Sequence, residues 1–326
     1  MNTFSRAHKY ALEWARYFQD CSSAKLKGKH TPIVVSGPQR CGTTWFGQMI
    51  QVRGTSLYHE PFGKFNALWN FNLKETDSGI DELGLASKVK NIVERHEWET
   101  LNQRHWNPDF RRTSRFSPYR FFPTPASLAI IKDPTAVGIL EELKQLFEFR
   151  TAILLRHPCG YVASLKKLNW DPTIRIEILK THPVFSKKVM SCRDLKSAHE
   201  PKTLIEKLTV QYCLLCSIAL NFHSRNPNSS FLWKYDALAG NPIEGFRDVF
   251  TKLELPHNSD VEQYHLEMTS PQKQSQKKLS RHAVKRSSRE AANSWRHALS
   301  DLEIQSIKDI WMDFGLDFFN DPNSWV

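Results

Sequence analysis

Short apolar runs alternate along the chain with longer segments that have the apolar spacing of helices. Apolar runs bounded by turn residues are typical of strands buried on both faces of a parallel sheet. The predicted strands cover residues 32–37, 55–58, 127–132, 151–156 and 230–235. The predicted helices cover residues 43–52, 82–99, 134–146, 157–168, 173–190, 202–224, 242–253 and 301–313.

This alternation of strands and helices predicts an α/β fold with a doubly wound, mainly parallel sheet flanked by helices. In such sheets, ligands bind at the carboxyl ends of the strands. We therefore expect four loops to meet around one crevice, namely those that follow Gly37, Tyr58, Lys132 and Arg156. Each of these loops carries charged or phosphate-binding residue types.

The 326 residues suffice for one large domain, and no internal repeat divides them. We expect a polar lead-in at 1–30 and a single domain at 31–326. Residues 63–125 are irregular and rich in Asn, Trp, Arg and Pro, which indicates an insertion that lines the acceptor site. Residues 272–290 are polar, as expected for a mobile loop or lid.

The chain carries a net charge of +11, which suggests an anionic partner. Seven cations and no acid lie between Lys273 and Arg289, so a large part of the excess is in the proposed lid. The six irregularly spaced cysteines fit a reduced, cytoplasmic setting. The charged N-terminus and the short apolar runs predict neither a signal peptide nor integral membrane association.

The segment GPQRCGTTWF, Gly37–Phe46, joins a predicted strand to a predicted helix. Its spacing resembles a Walker A loop, since Gly37 and Gly42 match the two glycines of GxxxxGK[ST]. This similarity predicts a P-loop NTPase-like fold. Thr43 replaces the Walker lysine, however, and the cation is Arg40 instead. The backbone N–H groups and the threonine hydroxyls are suited to anionic oxygens.

Two motifs resemble those of sulfotransferases that use 3′-phosphoadenylyl sulfate (PAPS). The first is RCGTTW, Arg40–Trp45, which is similar to the family's 5′-phosphosulfate loop. The second is RHPCGYVAS, Arg156–Ser164, which has the family's Arg-x-Pro…Ser arrangement for the 3′-phosphate. Further segments resemble bacterial members and, with the two motifs, span about residues 31–315. Two departures stand out: Gln39 precedes Arg40 where the family has Pro, and the family's C-terminal glycine is absent near Asn293.

The resemblance implies a sulfotransferase fold, PAPS as the donor, adenosine 3′,5′-bisphosphate (PAP) as the product, and no metal. Trp45 is expected to pack against adenine or to be a core aromatic residue. Arg289 is expected to keep a cationic role in the C-terminal motif. The expected donor-binding residues are Arg40, Cys41, Gly42, Thr43, Thr44, Trp45, Arg156, Ser164 and Arg289.

The catalytic residues expected are Arg40, Lys132 and Glu60. Arg40 would stabilise charge on the leaving phosphate, since a guanidinium is a permanent cation and a poor general acid. Lys132 matches a family lysine that contacts the transferring group. Animal cytosolic members have a catalytic His where this chain has Pro134, so we expect Glu60 to be the base, with Asp133 and His59 as alternatives.

Two other functions remain open from the sequence. A Mg²⁺-dependent small-molecule kinase is disfavoured by the missing lysine after Gly42. A nucleic-acid-binding protein would use the basic loop and would show a steep salt dependence of affinity.

The acceptor is expected to be a small molecule or carbohydrate rather than nucleic acid, with a carbohydrate or glycolipid favoured. Tryptophans stack on sugar faces, and arginines hold carboxylates or sulfates. Such residues in the insertion are Trp69, Trp98, Arg104, Trp106, Arg111, Arg112 and Arg115.

Overall fold

The protein is described here from a computed structural model of all 326 residues. The structure describes residues 31–52, 55–75, 79–93, 104–105, 128–190, 200–269, 288–316 and 318–325, with a few helical positions between 8 and 18.

A six-stranded sheet forms the centre of the fold. Its strands are β1 (Ile33–Ser36), β2 (Thr55–His59), β3 (Arg104–His105), β4 (Leu128–Lys132), β5 (Arg150–Leu155) and β6 (Ser230–Lys234). The order across the sheet is β3-β2-β4-β1-β5-β6. All neighbours are parallel except the short β3, which runs antiparallel to β2. The predicted α/β fold with a mainly parallel sheet is therefore confirmed.

The strand order changes direction at β1. The chain visits β2 and β4 on one side of β1, and then β5 and β6 on the other. The register places Val35 opposite Lys132 in β4 and Ser36 opposite Ile153 in β5. The carboxyl ends of the five parallel strands consequently lie along one edge, where ligands of such sheets bind.

Twelve α-helices between Thr43 and Asp313 accompany the strands in the described part of the chain. The first six are α1 (Thr43–Met49), α2 (Glu82–Val93), α3 (Leu140–Leu146), α4 (Pro158–Lys166), α5 (Thr173–Thr181) and α6 (Pro183–Met190). The others are α7 (Leu204–Arg225), α8 (Tyr235–Gly240), α9 (Pro242–Lys252), α10 (Ser259–Thr269), α11 (Ser288–Asn293) and α12 (Asp301–Asp313).

Two helix predictions need correction. The segment 173–190 forms two helices rather than one, because Pro183 cannot donate a backbone hydrogen bond and instead begins α6. The segment 134–146 opens with a 3₁₀ turn, Pro134–Gly138, before α3. Helices α8, α10 and α11 were not predicted at all. The predicted helix 82–99 ends at Val93 as α2, and residues 94–99 lie outside the described part.

Helix α7 is the main buried helix of the fold. It begins with a capping box between Thr203 and Glu206. It is also the one helix in the described part of the chain that is long and apolar enough to cross a membrane. Because 72% of its most apolar 18-residue stretch is buried inside the fold, it packs as a core helix.

Candidate functional site

The loop between β1 and α1 has an unusual backbone. Gly42 has φ = 87°, and a Cβ atom at this position would lie 2.3 Å from the ring of Tyr235. Arg40 also has a positive φ, of 69°, which is uncommon for a residue with a side chain. No side chain caps the start of α1, so its amides keep their capacity to bind an anion. Glycine is therefore required at 42.

Three residues expected to bind the donor meet at this loop. The Nε of Arg40 donates a 3.0 Å hydrogen bond to the hydroxyl of Ser164, which lies 124 positions away on α4. Arg156, at the end of β5, donates from a terminal nitrogen to the carbonyl of Arg40 at 3.3 Å. The structure thus brings the first motif and the second motif into direct contact.

Arg156 is nearly buried, with 6% of its surface exposed, and it has no carboxylate within 4 Å among the described residues. Its second terminal nitrogen donates to the carbonyl of Ala291 at 2.8 Å, and its Nε has no hydrogen-bond partner. A Cβ atom on Gly160 would lie 2.6 Å from that Nε, so glycine makes room for the guanidinium. A buried cation held by neutral groups is suited to an anionic ligand.

The remaining residues of the predicted donor site have different surroundings. Cys41 is fully buried, and burial raises the pKa of its thiol to about 12, so it is a structural rather than a reactive residue. Trp45 is 9% exposed and packs edge-on against Tyr235 and Phe246, with ring centroids 5.6 and 5.2 Å away. Its contact with adenine stays a prediction. Arg289 is exposed on α11, two residues before the carbonyl that Arg156 binds.

A buried tyrosine outside the two motifs forms hydrogen bonds to both of them. The hydroxyl of Tyr212, on α7, accepts a 2.9 Å hydrogen bond from the amide of Arg156 and donates to the carbonyl of the same residue. It also lies 3.8 Å from the thiol of Cys41, which donates to it. One hydroxyl therefore orients both the strand end that carries Arg156 and the loop that carries Arg40.

We expect Tyr212→Phe to weaken PAP binding about tenfold, since the backbone of Arg156 loses its partner while the ring stays in place. Calorimetric titration with PAP measures the change. Tyr161→Phe is the matched control, because Tyr161, although it lies in the second motif, is an equally buried tyrosine stacked on Tyr212 whose hydroxyl accepts from Gln211 rather than from the backbone of Arg156. Equal losses of PAP affinity in the two variants would contradict a positioning role for Tyr212.

A second group of polar side chains lies at the ends of β2 and β4. The register pairs His59 with Lys132, and the amide of Glu60 donates to the carbonyl of Lys132 at 2.7 Å. The ammonium group of Lys132 donates to the carboxylate of Glu60 and lies 3.4 Å from Nε2 of His59. Lys132 is 1% exposed, whereas 43% of the Glu60 side chain remains accessible. A buried ammonium thus holds an accessible carboxylate at the edge of the crevice.

Asp133 is occupied by structural hydrogen bonds. It is fully buried, and its two oxygens accept from the amide of Phe62 at 2.6 Å and from the amide and hydroxyl of Thr135. Burial, with a smaller contribution from the charge of Glu60, raises the pKa of Asp133 to about 6. This carboxylate caps the turn that follows β4 and has little access to an acceptor. Of the three candidate bases, Glu60 has the most accessible side chain, 43% exposed against 25% for His59.

Sequence reasoning missed Tyr212 and Tyr235. Tyr235 directly follows β6, and its ring lies between Gly42, Trp45 and the guanidinium of Arg156, which is 5.1 Å away. The rule that ligand-binding loops follow parallel strands would have identified Tyr235. Nothing in the helical pattern of residues 202–224 distinguishes Tyr212 from a core residue.

Several predicted elements lie outside the described residues. They include most of the basic segment 272–290 and, from the proposed acceptor insertion, Trp98, Trp106, Arg111, Arg112 and Arg115. Trp69 is described and is half-buried, with its indole N–H donating to the carbonyl of Thr135 at 2.9 Å. Among the described residues, no group of three or more His, Cys, Asp or Glu side chains is placed to hold a metal ion.

No protein-family model matches the chain, and no curated protein matches it significantly. Among solved structures, the chain is similar to the sulfotransferase domain of the Synechococcus PCC 7002 olefin synthase, with 14% identity and a TM-score of 0.46 over 89% of this chain and 96% of that one. The sulfotransferase domain from the curacin biosynthetic pathway is 13% identical, with a TM-score of 0.46 over 89% and 99%. Sulfotransferase STF9 from Mycobacterium avium is 14% identical, with a TM-score of 0.43 over 94% and 81%. Similarity at this level assigns no activity to the chain.

Proposed function

We propose that the protein is a sulfotransferase that moves a sulfuryl group from PAPS to a hydroxyl acceptor. The observation that carries the proposal is the contact between Arg40, Ser164 and Arg156, which brings two cations together at the carboxyl ends of adjacent parallel strands. A nucleotide with phosphate groups at both its 5′ and 3′ positions has the charge distribution that such a pair would bind.

The residues beside this pair support transfer chemistry. In-line displacement of a sulfuryl group builds charge on the bridging oxygen and on the sulfuryl oxygens, so it needs positioned cations and amides. Arg40 and the amides after it would stabilise charge on the leaving phosphate. Lys132 would face the sulfuryl oxygens, and Glu60 would take the proton of the acceptor hydroxyl. We propose a carbohydrate or glycolipid as the acceptor.

The experiment that tests the proposal is binding of PAP together with transfer of labelled sulfate. We expect calorimetry to detect PAP at micromolar concentrations, and we expect sulfur-35 to pass from PAPS to an acceptor in a carbohydrate screen, with each product heavier by one sulfo group. Transfer should persist in EDTA. Consumption of ATP that depends on Mg²⁺, without PAP binding, would identify a kinase or hydrolase instead and refute the proposal.

A further inference from the structure

Four cationic side chains are almost completely buried in the described part of the chain. They are Lys132, Arg156, Arg175 and Lys188, with 1%, 6%, 8% and 8% of their surfaces exposed. Burying a charge without a counter-charge is costly, so such groups are normally paired. Lys132 is paired with Glu60, and Lys188 lies 2.7 Å from both carboxylate oxygens of Glu142.

Arg156 and Arg175 differ from the two lysines. Neither arginine has a carboxylate within 4 Å among the described residues. Arg156 is assigned above to a phosphate of the donor. Arg175, on α5, is thus a buried cation without a carboxylate partner in the described part of the chain, and burial lowers the pKa of its guanidinium to about 10.

Three aromatic rings, those of Trp69, Phe71 and Trp170, surround the guanidinium of Arg175, and we call this group the clamp. The central carbon of the guanidinium lies 4.3 Å from the ring centroid of Trp69, 4.6 Å from that of Trp170 and 5.4 Å from that of Phe71. Its Nε donates to the carbonyl of Leu68 at 3.0 Å, whereas its two terminal nitrogens have no hydrogen-bond partner among the described residues. Stacking between rings compensates part of the charge and fixes the plane of the guanidinium, and no described group competes with a ligand for those terminal N–H groups.

The clamp adjoins the reaction crevice. Trp69 donates its indole N–H to the carbonyl of Thr135, and the amide and hydroxyl of Thr135 bind Asp133. Asp133 follows Lys132 directly, so a short chain of hydrogen bonds connects the clamp to the residues proposed to act on the acceptor. The three rings are only partly buried, which leaves the clamp open at its edge.

We propose that Arg175 binds an anionic group of the acceptor, so that the substrate carries a carboxylate or a sulfate in addition to the hydroxyl that is sulfated. This inference rests on the proposed sulfotransferase function. A guanidinium fixed in one plane presents two parallel N–H groups, which match the oxygens of a carboxylate or a sulfate. The rings around it supply apolar faces for a sugar or aromatic portion of the same molecule.

The test compares three acceptors that differ in one substituent: 4-nitrophenyl β-D-glucuronide, the neutral 4-nitrophenyl β-D-glucoside, and the 6-O-sulfated glucoside. Equilibrium binding of each is measured calorimetrically, with and without saturating PAP, so that no turnover is needed. We expect the wild-type protein to bind at least one charged ligand at least tenfold more tightly than the neutral glucoside, and the two charged arms distinguish carboxylate from sulfate recognition. Arg175→Gln should abolish this preference and leave PAP affinity within about threefold, while Arg175→Lys should retain part of it.

Lys188→Gln is the matched control. Lys188 is as buried as Arg175 and lies on the next helix. Its replacement therefore removes a buried cation without changing any residue of the clamp. We expect the preference for charged ligands to survive in Lys188→Gln.

Two outcomes would overturn the proposal: a wild-type protein that binds the charged ligands no more tightly than the neutral one, or an Arg175→Gln variant that keeps the preference. An Arg175→Gln variant that loses affinity for all three ligands and for PAP alike would show that the clamp is only structural, which also overturns it. Failure of the wild-type protein to bind PAP would refute the donor assignment instead, because the arm without PAP measures the charge preference separately.

Discussion

Arg156→Ala is expected to weaken PAP binding about 100-fold or more. The side chain is buried, it is held by the carbonyls of Arg40 and Ala291, and no carboxylate lies within 4 Å of it in the described part of the chain. Removing one partner of a buried charge pair typically costs 2–5 kcal/mol, and a loss of about 2.7 kcal/mol corresponds to this factor. Calorimetric titration of the purified variant with PAP measures the loss directly.

The same strand supplies a control for this variant. Arg150 begins β5, at the opposite end from Arg156, where it donates to the carbonyl of Leu253 at 2.8 Å and pairs with Glu254. Arg150→Ala removes the same side chain from the same strand, so it should reduce stability somewhat and leave PAP affinity unchanged. Unaltered PAP affinity in Arg156→Ala would remove the central support for the proposed donor site.

The strands could be predicted closely because parallel strands buried on both faces need continuous apolar runs. All five predicted strands are present, and no end is shifted by more than one residue. Helix boundaries were harder, as the division at Pro183 shows, because the apolar spacing continues across the break. The short strand β3 was not predicted either, since pairing of two residues with an edge strand leaves no periodic signal.

Part of the candidate site could be predicted from the sequence, because the carboxyl ends of parallel strands lie at the same edge of a sheet. The rule that strand ends share one edge brought Arg40 and Arg156 to the same crevice, and their contact agrees with that expectation. The partners that orient them were not predictable. Tyr212 reaches the site from the middle of a buried helix, and the clamp of Arg175 needs rings from two segments about 100 positions apart, with Trp69 and Phe71 in one and Trp170 in the other. Contacts of this kind depend on packing rather than on local pattern.

Glu60→Gln is expected to lower kcat by about 100- to 10,000-fold, the usual contribution of a general base, and to leave PAP affinity within about threefold. Glutamine keeps the size of the side chain, and its amide oxygen still accepts a hydrogen bond from Lys132. It has no carboxylate to take the proton of the acceptor hydroxyl. Steady-state transfer of sulfur-35, with PAP titration of the same preparation, separates turnover from donor binding.

A variant of a residue next to Glu60 tests whether the loss of kcat in Glu60→Gln is due to the removal of a general base. His59→Gln alters the other group near the Lys132 ammonium, and we expect it to lower kcat no more than about fivefold, because the accessible carboxylate remains. If His59→Gln lost activity and Glu60→Gln kept it, the base would be His59. A loss of folding stability in Glu60→Gln with kcat intact would mean that Glu60 serves only to neutralise Lys132.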